Sequence, residues 1–167
     1  MTPSTSYHPA AVDNTSHLSA VPLNMAAMLE GAHHPGAGAV VLFSGETRDN
    51  SHGRTVTYLD YEAQESMANK MIAAILNEAM VKWNLKLALA CHRTGRVSVG
   101  ETAVVVITAS AHRREAYAAN RYIIDRIKHE APIWKREYFA DGSSEWGGNC
   151  DCHKITGDAN KHIYEHE

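Results

Sequence analysis

The sequence predicts an α+β fold, with a mixed or antiparallel sheet and helices packed around it. Strand-like runs follow one another across links of hairpin length, and the stretches with helical spacing are gathered between groups of them. A doubly wound parallel sheet would instead need a helix after almost every strand. A chain of 167 residues with 44% hydrophobic content is long enough for one domain with its own core.

Three segments are expected along the chain. Residues 1–17 are polar, contain prolines, serines and threonines without periodicity, and are predicted to be a flexible N-terminal segment. Residues 18–146 are predicted to form a single catalytic domain. Residues 147–167 are again polar and are predicted to be a flexible C-terminal tail.

The first elements of the domain are short. Leu18 to Leu23 can be an edge strand, since Pro22 excludes a central position in a sheet. Asn24 can cap a short helix that runs to Glu30. The loop HHPGAG follows, and the continuous apolar run from Ala39 to Ser44 predicts a strand buried on both faces.

A polar loop, GETRDNSHGR, comes after that strand and carries Arg48 and Arg54. An arginine just past a buried strand is well placed to bind a phosphate or a carboxylate through paired hydrogen bonds. A solvated loop charge is the alternative, above all for Arg54. Thr55 to Glu62 is rich in β-forming residues and predicts the next strand.

The middle of the chain shows clear periodicity. An amphipathic helix is predicted from Ser66, with apolar residues recurring every four positions as far as Trp83. Leu85 to Cys91 alternates as a half-buried strand does. The stretch HRTGRVSVGE resembles a turn region, and Thr102 to Ala109 predicts another buried strand.

A long helix follows, in which Ala116, Ala119, Ile123 and Ile127 recur at helical spacing. It is the central element of the prediction. Ser110 can cap it, and Pro132 should end it at or just before Ala131. A short strand is possible after Tyr138. Cations lie at both ends of this helix region: His112 and Arg113 at its N-terminus, Lys128 in its last turn, and Lys135 beyond the proline. A helix N-terminus favours anions, although a lysine near a C-terminus often only complements the helix dipole.

Composition excludes several classes of protein. A net charge of −3 argues against a general polyanion binder, and no run approaches the roughly 20 apolar residues that span a bilayer. Three cysteines make a disulfide framework improbable, and the cytosol is the expected compartment. No metal site is predicted. His33 and His34 have no evident partner ligands nearby, and Cys150, Cys152 and His153 are fewer than the four ligands of a structural zinc site.

Several separate blocks, in the same order along the chain, resemble the large, catalytic subunit of molybdopterin synthase. They are GAVVLFSGETRDNSHG, LDYE, CHRTGRVSVGE, SAHRREAY and IDRIKHEAPIWKRE, and they cover about Gly36 to Trp146. The resemblance departs after Trp146, where many members have a valine and then charged residues, including an arginine. This chain continues as Gly147-Gly148-Asn149-Cys150.

The resemblance implies an α/β hammerhead fold and a homodimer flanked by two copies of a small, ubiquitin-like sulfur-carrier subunit ending in Gly-Gly. It also implies the reaction. The C-terminal thiocarboxylate of the carrier delivers sulfur to cyclic pyranopterin monophosphate, and two transfers build the dithiolene of molybdopterin. The enzyme would be a cytosolic sulfurtransferase without a cofactor of its own, because the small subunit supplies the sulfur.

The functional positions of the family fall on five residues here: Arg48, His112, Arg113, Lys128 and Lys135. Arg48 and Arg113 would bind the cyclic phosphate, with His112 orienting the substrate or shuttling a proton. Displacing oxygen by sulfur needs proton transfers, a task that a lysine amine in a buried site can perform. Lys135 is therefore expected to be the acid–base group and Lys128 to hold the thiocarboxylate end or the intermediate.

Two other functions stay open from sequence. One is a non-catalytic paralogue that binds the carrier or a phosphorylated small molecule, which retention of all five residues disfavours. The other is a nucleotide- or phosphate-binding domain, which the lack of a Gly-rich phosphate loop disfavours.

The length of the long helix constrains the site. His112 and Lys128 are sixteen positions apart, about 24 Å along a helix, which is too far for one pterin monophosphate. A two-fold dimer solves this, since each helix N-terminus can lie near the C-terminus of the other chain. We expect composite sites, with Arg48, Lys128 and Lys135 from one chain and His112 and Arg113 from the other.

Overall fold

The computed structural model describes residues 16–147. The helices are α1 Met25–Glu30, α2 Glu65–Lys82 and α3 Arg113–Glu130. The strands are β1 Leu18–Ser19, β2 Ala39–Glu46, β3 Asn50–Ser51, β4 Arg54–Ala63, β5 Leu87–Arg93, β6 Gly95–Ser98, β7 Thr102–Ser110, β8 Ile133–Phe139 and β9 Ser144–Gly147.

The strands form two sheets. The first has the order β1-β5-β7-β2, antiparallel apart from the parallel pair β1 and β5. The second has the order β3-β4-β8-β9, and β6 also pairs with β4. This mixed and mostly antiparallel arrangement confirms the predicted α+β class.

Helices cover both faces of the first sheet. α2 and α3 pack on one face, where Ile72, Ile75, Ile123 and Ile127 meet Val104 in the larger core. The short helix α1 packs on the other face, where side chains such as Met25 and Met28 lie against a smaller core. Strand β7 is buried almost throughout because it lies inside the sheet between these helices, as its apolar run predicts.

Strand β2 is less buried than its sequence predicts. It forms an edge of the first sheet among the described residues, pairing with β7 along one side. Its residues are half-buried or exposed, and Phe43 is 37% exposed. The expectation of a strand buried on both faces is therefore wrong for this chain alone.

The long helix begins later than predicted. Ser110 is the last residue of β7 and is still paired with Ala39, so it cannot cap the helix. His112 is the N-cap, in an extended conformation and without a capping side-chain hydrogen bond. The predicted end is confirmed, because Ala131 before Pro132 adopts an extended conformation. The capping role of Asn24 is also confirmed, since its side chain accepts from the Ala27 amide at 3.1 Å.

Three strands are missing from the sequence prediction. β3 and β4 form a tight hairpin across His52 and Gly53, both with positive φ, inside the expected loop. β6 lies inside the expected turn region and buries Val97. β8 begins at Ile133, directly after Pro132, whereas a strand was expected only after Tyr138; β9 lies in that later position.

The predicted terminal segments fall almost entirely outside the described residues. Residues 1–15 and 148–167 are not described, and this includes Cys150, Cys152 and His153. At the inner end of the N-terminal segment, the His17 amide donates to the Asn69 side chain at 2.7 Å, and its carbonyl accepts from the His92 amide at 2.9 Å.

Candidate active site

A cavity of about 290 Å³ lies where the second sheet meets the edge of the first sheet and the C-terminal end of α3. This is close to the lower end of the size range typical of small-molecule sites. The lining residues are Phe43, Gly45, Glu46, Arg48, Asn50, Ser51, Val56, Leu59, Tyr61, Lys128, Lys135 and Glu137.

The register of β4 and β8 determines which side chains face the cavity. Tyr61 is paired with Lys135, and Leu59 is paired with Glu137. Residues directly opposite each other on antiparallel strands project from the same face, and so do residues two apart on one strand. The two charged residues of β8 therefore project into the cavity beside an aromatic and an aliphatic residue of β4.

Lys135 and Glu137 form an ion pair inside this cavity. Lys135 Nζ lies 3.2 Å from Glu137 Oε1, and the two side chains are only 15% and 13% exposed. Ser51 Oγ donates to Glu137 Oε2 at 3.0 Å, so the carboxylate is fixed from β3 as well. Gly147, opposite Lys135 on β9, leaves room for the lysine, because a Cβ there would lie 3.0 Å from Lys135 Cε.

The cavity carries more positive than negative side chains. Arg48 comes from the loop after β2, Lys128 from the last turn of α3, and Lys135 from β8. The carboxylates that line it are Glu46 and Glu137. Three cations against two carboxylates, one of them already paired with Lys135, suit a small anionic ligand.

Behind the cavity wall lies a buried histidine, His92, at the end of β5. Its ring meets Tyr61 edge-to-face, with centroids 4.8 Å apart. Burial, followed by the positive charge of Lys128, lowers the pKa of His92 to about 4. Burial, followed by the negative charge of Glu137, raises the pKa of Tyr61 to about 12. At neutral pH the imidazole is therefore uncharged and the phenol keeps its proton.

The residue before His92 is a cysteine. Cys91 is half-buried and free, and burial raises the pKa of its thiol to about 11. Its side chain is therefore a neutral thiol at physiological pH.

The structure brings three of the five predicted site residues together and leaves two apart. Arg48, Lys128 and Lys135 line the same cavity. His112 and Arg113 are exposed at the opposite end of α3, about 24 Å away at the helical rise of 1.5 Å per residue. This is the division that the composite-site hypothesis expects, while the chemical roles of the five residues stay predictions.

Arg54, the other arginine of the predicted loop, lies elsewhere. It forms ion pairs with Glu145 and Asp141 and stacks over the Phe139 ring, with its Cζ 3.6 Å from the ring centroid. These contacts hold the β8–β9 hairpin against the start of β4, which is a structural role.

Sequence reasoning missed Glu137 and Tyr61 as site residues. Both lie in the quoted blocks, and Glu137 is two positions after Lys135, which is the signal that could have placed it on the same face of a strand. The signal was lost because the stretch after Pro132 was not recognised as a strand.

Two further features are absent from residues 16–147. No group of three His, Cys, Asp or Glu side chains there could hold a metal ion. None of the helices in that range has the length and apolar character needed to cross a membrane.

Fold and cavity together define an α+β protein with a cationic pocket for a small anion, and known proteins share this chain's sequence and fold. The family model described as MoaE protein matches residues 18–130. The molybdopterin synthase catalytic subunit of Thermoplasma volcanium is 44% identical over 124 residues, covering 74% of this chain and 90% of the relative. That of Bacillus subtilis is 39% identical over 132 residues, covering 79% and 83%. The crystal structure of molybdopterin synthase from Staphylococcus aureus aligns with a TM-score of 0.76 and 36% identity, covering 80% of this chain and 97% of that one.

The chain therefore belongs to the MoaE family, the family of molybdopterin synthase catalytic subunits in molybdenum cofactor biosynthesis. The resemblance found in the sequence is confirmed, and so are the fold class and the assignment to an enzyme.

Proposed function

We propose that this protein transfers sulfur from the C-terminal thiocarboxylate of a small ubiquitin-like carrier subunit to cyclic pyranopterin monophosphate, forming the dithiolene of molybdopterin. The cytosol is the compartment we propose, in keeping with the low cysteine count. The main support is the cavity in which Arg48, Lys128 and Lys135 converge, with Glu137 fixing Lys135.

Each cation in the cavity has a distinct proposed task. Arg48, exposed at the mouth, can hold the substrate phosphate through charge-assisted hydrogen bonds. Lys135 is the proposed acid–base group, since its amine lies within ion-pair distance of a carboxylate that can exchange a proton with it. Lys128, in the last turn of α3, is proposed to hold the thiocarboxylate or the intermediate.

The proposed reaction balances with two carriers. In each transfer the thiocarboxylate sulfur bonds to a carbon of the substrate while a carbon–oxygen bond at that carbon breaks, and the oxygen leaves as water or, where the cyclic phosphate opens, as an oxygen of the phosphate. The carrier acyl group then remains on the sulfur. Attack of water on that acyl carbon releases the carrier as a carboxylate and leaves the sulfur on the pterin. Two transfers consume two thiocarboxylates and give the dithiolene, so no separate cofactor is required.

A second copy of the chain is proposed to complete each site. The cavity is bordered by β2, an edge strand in the described structure, and Phe43 on that strand is both exposed and a lining residue. A chain docking over this edge would cover apolar surface and could bring the exposed His112 and Arg113 of its α3 to the cavity. Two equivalent composite sites would result.

The test is turnover of cyclic pyranopterin monophosphate with a thiocarboxylated small subunit that ends in Gly-Gly. We expect molybdopterin to form with about two carriers consumed per product. Carrier with an ordinary carboxylate terminus is the matched control and should give no product. A chain that binds the carrier but forms no molybdopterin would contradict the proposal and favour a non-catalytic binding role.

A further inference from the structure

His92 is a buried polar residue that the proposed reaction does not use. It has no exposed surface, and it lies on the same face of β5 as Ala90, which packs in the larger core. Within residues 16–147, two titratable groups face its ring from neighbouring elements: Tyr61 from β4 and Lys128 from α3. Both line the cavity, so His92 lies directly behind its wall.

The hydrogen bonds of the ring determine its tautomer. Nδ1 lies 2.7 Å from the carbonyl oxygen of Arg93, and a carbonyl can only accept. Nδ1 therefore carries the proton. In a neutral ring this leaves Nε2 unprotonated, as a hydrogen-bond acceptor.

That acceptor is not satisfied within the fold. Nε2 is buried and has no hydrogen-bond partner among the described residues. A buried polar atom without a partner is costly, and most such atoms in native proteins are satisfied or have a functional reason. The cation that acts on this ring is Lys128, since its charge lowers the pKa of His92.

We propose that His92 is a positioning residue for Lys128, with its unprotonated Nε2 accepting a hydrogen bond from the Lys128 ammonium when that side chain turns inward from the cavity. Turned inward, the ammonium is stabilised in its charged form and held away from Lys135. Turned outward, it meets an incoming anion. This inference deepens the proposed function and rests on it for its role in turnover.

Three substitutions separate the two nitrogens of the ring. His92→Gln can place an amide oxygen near the Nε2 position, while His92→Asn keeps a donor near Nδ1 but does not reach as far as Nε2. His92→Phe keeps the ring and its edge contact with Tyr61 but removes both nitrogens. His33→Gln, on the exposed loop after α1, is the matched control.

The first readout is the titration of Lys128, followed by NMR of protein carrying ¹³C at lysine Cε and assigned with Lys128→Arg. We expect the titration midpoint of Lys128 to fall by about one pH unit in His92→Phe and His92→Asn, because a hydrogen bond to a charged group is lost. His92→Gln and His33→Gln should leave it within about 0.3 unit. An unchanged midpoint in folded His92→Phe would overturn the proposal.

The second readout is turnover. We expect kcat to fall about 10- to 100-fold in His92→Phe and His92→Asn, with KM changed less, and to recover in His92→Gln. A residue that only fills space would show the reverse order, with His92→Phe the mildest variant, and that result would overturn the proposal.

The wild-type chain provides a further test that needs no substitution. Long-range ¹H–¹⁵N spectra of the wild-type chain, which distinguish protonated from unprotonated ring nitrogens, should show an unprotonated Nε2 at pH 7, and a protonated Nε2 would overturn the proposal. If the wild type forms no molybdopterin, the proposed function fails, while the lysine titration still decides the role of His92.

Discussion

The two ends of helix α3 carry similar residues in opposite surroundings. At the C-terminal end, Lys128 lines a cavity with Lys135 and Arg48 and acts on a buried histidine. At the N-terminal end, His112 and Arg113 are exposed, and the described chain builds no wall around them of the kind that surrounds Lys128. The C-terminal end of α3 thus lies in an enclosed cavity, whereas the N-terminal end presents two side chains on an open surface.

This difference shows what one chain can build alone. A cavity can be built within one chain because β4 and β8 project Tyr61, Lys135 and Glu137 to the same side. The groups at the other end of a rigid helix of 18 residues cannot reach it. Under the proposed function, the exposed N-terminal end of α3 is enclosed when it meets the cavity of a second chain.

The largest expected effect on turnover comes from a residue inside the cavity. Lys135→Ala should lower kcat by about 10²- to 10⁴-fold, the usual contribution of a general acid–base group. The measurement is molybdopterin formation with thiocarboxylated carrier at saturating substrate. Lys70→Ala, an exposed lysine on α2, is the control and should keep full turnover. Near-normal turnover of a folded Lys135→Ala would show that the acid–base role is wrong.

The exposed end should also matter for turnover but not for stability. Arg113→Ala is expected to raise KM for the pterin about 10- to 100-fold, because a charge-assisted phosphate contact is lost. Its melting temperature should stay within about 1 °C, since surface substitutions change stability little. Arg121→Ala, further along the same helix and also exposed, should leave KM unchanged. If both arginine variants behaved alike, Arg113 would have no special role.

Mixing the two ends tests whether they meet across a dimer. His112→Ala and Lys135→Ala homodimers, each nearly inactive, should regain about one quarter of wild-type turnover when exchanged in equal amounts. Half of the dimers would then be mixed, and each mixed dimer would have one intact site of two. Mixing Lys128→Ala with Lys135→Ala should regain nothing, because both residues belong to the same half-site. Equal recovery in the two mixtures would contradict the composite arrangement.

The last expected effect concerns stability rather than turnover, and it is a pH dependence at the cavity end of α3. Because the pKa of His92 is lowered to about 4 from its ordinary 6.5, the unfolded chain binds this proton first as the pH falls. The free energy of unfolding should therefore decrease between about pH 6.5 and 4, by about 3 kcal/mol in all. Denaturant unfolding from pH 7 to 4.5 measures it.

His92→Gln removes this group and should flatten the curve over that range. Hydrogen bonds lower the pKa values of the carboxylates Glu78, Glu101 and Asp141, so these groups lose their stabilisation only at lower pH. A slope that persists in His92→Gln above pH 4.5 would assign the effect to other groups.

Sequence reasoning found the elements whose apolar pattern agrees with their burial in the fold. The helical spacing of Ala116, Ala119, Ile123 and Ile127 matches the buried stripe of α3, and the apolar run of β7 matches its central position. The same reasoning failed where function breaks the pattern. β8 was missed because Lys135 and Glu137 occupy inward positions that an ordinary strand fills with apolar residues.

The site was predicted in part for a related reason. Arg48, Lys128 and Lys135 could be named from the resemblance, and the length of the helix predicted that His112 would lie far from Lys128. Glu137 and Tyr61 could not be placed without the pairing of β4 with β8, because their role depends on which strand lies opposite. The start of α3 was wrong for the same kind of reason: pairing with Ala39 keeps Ser110 in the sheet.

The raised pKa of Cys91 has a consequence for the reactivity of the protein's own thiol. With a pKa of about 11, only about one thiol in 10⁴ is ionised at pH 7. Cys91 does not line the cavity that holds Lys128 and Lys135, and it faces a separate hollow beside Leu18 and Met28. Burial keeps this thiol a poor nucleophile, so alkylating reagents should label Cys91 slowly in the folded chain.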